Sequence, residues 1–495
     1  MNSRNVQMST HTQEKAPGID KAVSGIRGLD EITRGGLPRG RTILVSGGPG
    51  CGKTLLGMEF LYRGATELGE PGVFVSFEEK PEELISNVRS FGWNIEELTA
   101  SNRLFMEHIQ VESEEILETG AYDLDGLFIR LLSAVQQVGA RRIVLDTVES
   151  LFSSLPNESV LRSELRRLFH WLKDKGLTAV ITGERGENTL TRYGLEEYVS
   201  DCVIELSHRT EKEVSTRRLQ ILKYRGSSHG TNKYPFLIDE NGFSIIPITS
   251  VGLEHGTSEE RVSTGIPGLD VMLGDQGYYR GTSILVHGMA GTGKTSMAVH
   301  FVQAACKRGE RCLYVAFEES GGQIIRNMRS IGFDLQSHLD SGTLRLKAER
   351  PTQYGLESHL VELFNEIKTF NPQAVILDPI SSLAHIGHAT QVRSLLTRFM
   401  DFLKMQGITC LCTSLMPHRG DEDHQFQVIG ISSIIDTLIQ LRNIEDQGEC
   451  RRAMFIVKSR GMKHSNQVRE FLITETGIDL KDLSVSFATG KADGE

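Results

Sequence analysis

Two stretches of the chain place glycines, a lysine and a hydroxyl at the spacing that grips phosphate. Gly47, Gly48, Gly50, Cys51, Gly52, Lys53 and Thr54, followed by Leu55, fit GxxxxGK[ST]; Gly288, Gly291, Thr292, Gly293, Lys294 and Thr295, followed by Ser296, fit it again. In such a loop the glycines let backbone N–H groups wrap phosphate oxygens at a helix N-terminus. The lysine neutralises β/γ charge, and the threonine hydroxyl ligates Mg²⁺. Each copy follows a short apolar run and opens a helical pattern, so both halves are expected to bind nucleoside triphosphate. Asp146 ends RRIVLD and Asp378 ends QAVILD. An acid at the carboxyl end of a buried parallel strand faces the ligand crevice, within reach of the magnesium shell. Glu78-Glu79 and Glu318-Glu319 follow VFVSF and LYVAF. A carboxylate there can accept a proton from an attacking oxygen. The humbler role, open to one acid of each pair, is to favour the dipole of the following helix.

These residues sit on a duplicated frame. Gly28-Leu29-Asp30 recurs as Gly268-Leu269-Asp270, Phe77-Glu78-Glu79 as Phe317-Glu318-Glu319, and Lys223-Tyr-Arg225-Gly226 as Lys458-Ser-Arg460-Gly461. A repeat this long is a doubled domain rather than a solenoid of short units. The expected division is a tail at 1–20, a first domain at 21–250, a linker at 251–260, a second domain at 261–483 and a short tail at 484–495. Within each copy apolar runs alternate with helical patterns, as in RTILVSG then TLLGMEFLYRGATELG. That order predicts an α/β fold, a mostly parallel sheet with helices on both faces. The end of the first copy, LQILKYRG to YPFLIDENGFSII, predicts antiparallel strands with a turn at Glu240-Asn241-Gly242.

The halves differ just before the late strand. Aligning Asp201 with Asp436 sets Ser432 and Ser433 against Glu197 and Tyr198. Two adjacent hydroxyls are phosphoryl acceptors if that loop lies at a phosphoryl site; otherwise they are turn or strand-start residues. Pro379 follows Asp378 where Thr147 follows Asp146, so the second site lacks one hydroxyl that could hold water or a phosphate oxygen.

Composition narrows the classes. The 495 residues carry 54 Lys+Arg against 64 Asp+Glu, a net charge of −10 that gives no electrostatic footprint for nucleic acid. No apolar run approaches the length of a membrane span. Seven scattered cysteines fit neither a disulfide framework nor a zinc pattern, and point to a reducing, cytoplasmic setting.

Two phosphate loops, two Phe-Glu-Glu strands, FGWNIEEL, the paired KYRGSSHG and VKSRG segments and ISSIIDT together resemble the KaiC family of bacterial circadian clock proteins, double-domain members of the RecA-like P-loop ATPases. The resemblance runs from about Gly25 to Leu483. It implies homohexameric rings with ATP and Mg²⁺ held between neighbouring subunits, and KaiB-like or other signalling partners. Glu78 and Glu79 would activate water in the first ring. Glu318, with Glu319 beside it, would be general base for phosphoryl transfer to Ser432 and Ser433 of the adjacent subunit, and Thr54, Thr295 and Glu318 would hold Mg²⁺. Lys223, Arg225 and His229, like Arg452, Lys458 and Arg460, would reach phosphates from across the interface, with Ser90, Tyr224, Ser227 and Ser459 also placed at ATP. The family's long regulatory tail is nearly absent before Glu495, so the expectation is kinase activity without control by the clock's activator. The alternative readings are a nucleotide-gated signalling scaffold and a RecA-like DNA-dependent ATPase.

Overall fold

The computed structural model describes residues 18–109, 125–152, 158–186, 189–191, 200–211, 214–247, 258–351, 355–385, 389–416, 431–446 and 449–483. The two expected tails and the linker lie wholly or partly outside these residues, as do Glu197 and Tyr198. The chain divides into two compact units, one of Met1–Arg209 and Arg217–Pro247, the other of Thr210–Thr216 and Ile248–Glu495.

Each unit builds a nine-stranded sheet. In the first, the phosphate-loop strand Thr42–Gly47 lies parallel between Thr178–Glu184 and Cys202–Glu211. Beyond Thr178–Glu184 come the aspartate strand Arg142–Asp146, the glutamate strand Gly72–Ser76 and the edge strand Leu104–His108, all parallel. The second unit repeats the arrangement with Ser283–Gly288 between Thr409–Leu415 and Thr437–Asp446, followed outward by Ala374–Asp378, Cys312–Ala316 and Leu344–Ala348. The other edge of each sheet is antiparallel, as the late apolar runs predict. Asp239 faces Gly242 across the expected turn, and Thr474 faces Gly477 across its counterpart.

The phosphate-loop, glutamate and aspartate strands of both units are buried at every residue. Layers on both faces leave such strands no wet side, which is why they read as unbroken apolar runs. In the first unit Val45, Phe74, Val144 and Val180 pack with Leu56, Phe60 and Leu61 of the helix Lys53–Glu67. On the other face Val73, Val75, Ile143 and Leu145 pack with Leu165, Leu168 and Leu172 of the helix Glu158–Asp174.

The antiparallel hairpin bears on the phosphate loop. Gly52 has φ 101°, and a Cβ on it would lie 3.0 Å from both Ile238 and Phe243. Gly293, at φ 96°, meets Phe471 and Ile473 in the same way. Glycine is required there by backbone conformation and by space together.

Candidate functional site

Parallel strands all end on one side of the sheet, so the loop after the phosphate-loop strand and the acids ending its neighbours converge there. In the first unit Lys53 Nζ donates to the carbonyls of Gly47 at 2.8 Å and Gly48 at 3.2 Å. Thr54 Oγ1 donates to Asp146 Oδ2 at 2.9 Å, and Thr182 donates to Asp146 Oδ1. Burial pushes the Asp146 carboxyl up, opposed by the Thr182 and Thr54 hydroxyls and by the Lys53 charge. Glu78 Oε1 accepts from Thr147 at 2.9 Å and from Ser150 at 2.6 Å. Glu79 is turned to the following helix, where Asn87 donates to it at 3.2 Å. Burial, and then the neighbouring Asp146, Glu83 and Glu78, push Glu79 up. The two acids of the pair thus occupy different settings.

In the second unit Lys294 Nζ caps the Gly288 and Met289 carbonyls at 2.9 and 2.7 Å. Burial draws Lys294 down, while Asp378 and Glu318 act in the opposite sense. Ser382 donates to Glu318 at 2.5 Å and Asn327 to Glu319 at 3.2 Å, matching Ser150 and Asn87. The hydroxyl that Pro379 lacks is the one Thr147 directs at Glu78. Asp378 Oδ1 accepts from Thr413, the counterpart of Thr182, but Oδ2 is taken by Tyr314 at 2.5 Å rather than by the loop threonine. Burial and the Asp378 charge push the Tyr314 hydroxyl well above its usual range, so it remains a donor.

Among the described residues, no group of three or more His, Cys, Asp or Glu side chains could hold a metal ion. A cation here would be held by a hydroxyl, a carboxylate, phosphate and water, the hard-oxygen set that suits magnesium.

A second cluster lies at the other end of each sheet. Asp436 N donates to Ser283 O at 3.0 Å, and Ser283 N returns a bond to Asp436 Oδ2 at 2.9 Å. Ser432 and Ser433, in the turn before Thr437–Asp446, therefore lie by the first residue of the strand whose last residue, Gly288, opens the phosphate loop. Five residues of parallel strand separate those ends by roughly 16 Å. Lys458 donates to the Ser432 carbonyl, Arg460 to the Ser433 carbonyl at 2.6 Å, and Arg393 to Ser433 Oγ at 3.4 Å. Ser459 bonds Thr437 through their hydroxyls at 2.8 Å.

Lys223, Arg225, Ser227 and His229 occupy the matching end of the first unit. Arg225 N donates to Asp201 O, and Asp201 N donates to Thr42 O. Tyr224 is buried there with its hydroxyl on Gly36 O at 2.8 Å. Ser90 lies in the short turn Arg89–Phe91. Arg452 differs from Lys458 and Arg460: its Nε donates to Gly291 O at 3.2 Å, on the phosphate loop of its own unit. Its first-unit counterpart Arg217, which sequence reasoning missed, pulls on Cys51 of the first loop, whose thiol burial pushes up. Ser150, Ser382, Thr182, Thr413, Tyr314 and Arg393 were missed as well. The only signal for most of them is that a hydroxyl recurs at the same offset in both copies.

The family model described as the KaiC ATPase matches residues 22–250 and 262–484. The chain is 56% identical over 460 residues to a Synechocystis protein named circadian clock protein KaiC2, covering 93% of this chain and 81% of that one. It is 39% identical over 481 residues to the circadian clock oscillator protein KaiC of Synechococcus elongatus, covering 96% and 91%. With the same-named protein of Parathermosynechococcus lividus it shares 38% over 472 residues, covering 94% and 86%.

Proposed function

The chain belongs to the KaiC family of ATPases, and on that footing we propose that it is a signalling or timing ATPase whose second domain is also a serine autokinase. The first domain, 21–250, splits ATP. Glu78, aimed by Thr147 and Ser150, takes the proton of the attacking water. Lys53 leaves its carbonyl caps to pair with the phosphates, and Thr54 with Asp146 holds Mg²⁺, whose charge offsets that of the phosphates. The second domain, 261–483, passes the γ-phosphoryl group to Ser432 and Ser433, with Glu318 accepting the hydroxyl proton.

The observation that carries this reading is the separation of donor and acceptor along one strand. Ser432 and Ser433 stand by Ser283, while the loop of the same unit starts at Gly288. Within one chain they are too far apart to react, so the transfer runs between copies. A head-to-tail ring supplies that geometry, because each copy offers its acceptor end to the next copy's loop and the chain of contacts closes. We take the ring to be a homohexamer with ATP at its interfaces. Lys223, Arg225 and His229, and Lys458 and Arg460, then meet nucleotide from across the interface, whereas Arg452 serves the loop of its own unit. KaiB-like proteins are the proposed partners, and the cytoplasm the proposed setting; among the described residues no helix is long and apolar enough to cross a membrane.

Incubation with Mg-ATP followed by mass spectrometry of residues 425–442 tests the reading. Phosphate on Ser432 and Ser433, abolished by Glu318→Gln, is the expected result. Unmodified serines in a sample that consumes ATP would leave an ATPase or a nucleotide-gated scaffold.

A further inference from the structure

We infer that Tyr314 is a positioning residue for the second nucleotide site, anchoring Asp378 from inside the fold in place of the phosphate-loop threonine. The two units allow a comparison within one molecule. Both strand-end carboxylates hold two donors, and Oδ1 is held alike, by Thr182 or Thr413. Oδ2 is held differently. In the first unit the donor is Thr54, a residue of the loop that must itself meet the nucleotide. In the second it is Tyr314, fully buried in the glutamate strand, where the first unit has Phe74. Tyr314 and Phe74 occupy the same register, Tyr314 opposite Ile376 and Phe74 opposite Val144 on the aspartate strands.

The consequence is a difference in readiness. When a cation draws Thr54 to itself, the one hydroxyl must ligate the metal and hold Asp146 together, so the aim of that carboxylate follows wherever the loop settles. When Thr295 does the same, Asp378 keeps both of its donors and stays aimed. The second site is therefore organised for Mg-nucleotide before it arrives, which lowers the cost of ordering on binding. This inference rests on the reading that the site takes a magnesium-bound nucleotide; it does not depend on transfer to serine.

The test uses the full-length chain and 8-azido-ATP, with labelled peptides from the two units quantified separately by mass spectrometry as Mg²⁺ is titrated. Tyr314→Phe should raise the Mg²⁺ needed for half-maximal labelling of second-unit peptides by about tenfold, as expected for losing a hydrogen bond to a charged group. Labelling without metal, and the first-unit midpoint, should stay unchanged. An unmoved second-unit midpoint overturns the inference, as does an equal loss of labelling with and without metal, which would mark Tyr314 as packing alone. Should Tyr314→Phe not fold, Phe74→Tyr decides: it should lower the Mg²⁺ needed by first-unit peptides, and no change overturns the idea. Labelling of the unaltered protein that ignores Mg²⁺ would overturn the magnesium reading along with it. Metal-dependent labelling that Tyr314→Phe leaves alone would overturn this inference by itself.

Discussion

Glu78 and Glu79 are adjacent acids with different surroundings. Glu78 receives two hydroxyls and Glu79 an asparagine from the next helix. If Glu78 is the base, Glu78→Gln should lower ADP production by the first half by about 10²–10³-fold, within the usual range for general-base catalysis. Thr147→Val, which keeps shape but removes one donor, should lower it by only about tenfold, since Ser150 still holds the carboxylate. Steady-state ADP release decides this, and equal losses from Glu78→Gln and Glu79→Gln would contradict the assignment. The loops, the strand-end aspartates and the paired glutamates were legible in the sequence because each is a pattern of residue types written within a few consecutive positions. The hydroxyls that aim them were not. Thr182 reaches Asp146 across two paired strands, and Tyr314 reaches Asp378 the same way. Sheet register creates those contacts, and spacing along the chain carries no trace of it.

The helix that follows each loop is tied to the antiparallel hairpin at one equivalent position, by different chemistry in the two units. Glu59 Oε2 accepts from Phe243 N at 2.7 Å, and His300 Nε2 accepts from Ile478 N at 2.6 Å. Burial raises Glu59 to about 7, against the Phe243 amide and the Arg63 and Arg27 charges, and lowers His300 to about 4. A carboxyl raised in the fold binds its proton more tightly folded than unfolded. Its contribution is full below about pH 4.5 and is lost as pH rises through 7. A histidine lowered in the fold does the reverse, with stability lost as pH falls from 6.5 through about 4. The two units should therefore show opposite slopes from these sites. Trp93 and Trp171 both lie in the first half, so tryptophan fluorescence reports its urea unfolding selectively. Glu59→Gln should flatten the decline between pH 5 and 7.5 by about 2 kcal/mol. An unchanged slope would show that Glu59 titrates normally. The hairpin strands themselves were readable from LQILKYRG and YPFLIDENGFSII, but their seat on the phosphate loop was not, because Gly52 and Phe243 meet only after the chain has crossed the sheet.

At the scale of the whole molecule, two near-copies of one unit have kept the loop at one end of the sheet and the cationic cluster at the other. The second unit sets adjacent serines just before its late strand among those cations, with Arg393, Lys458 and Arg460 all bonded to the Ser432–Ser433 segment. On the proposed reading the acceptor serines lie at the far end of the strand from the loop of their own unit. The proposal then has copies act on one another, and complementation in mixed assemblies tests this most directly. One chain carries Lys294→Ala, which empties its second loop of the phosphate-binding lysine but keeps both serines. The other carries Ser432→Ala with Ser433→Ala and keeps the loop. Neither alone should be phosphorylated in the 425–442 segment. When they are mixed with Mg-ATP, and mixed assembly is verified by native mass spectrometry, phosphate should appear on the serines of the Lys294→Ala chain. Verified mixed rings in which that chain stays unmodified, while the unaltered protein phosphorylates itself at the same rate at every dilution, would contradict transfer between copies.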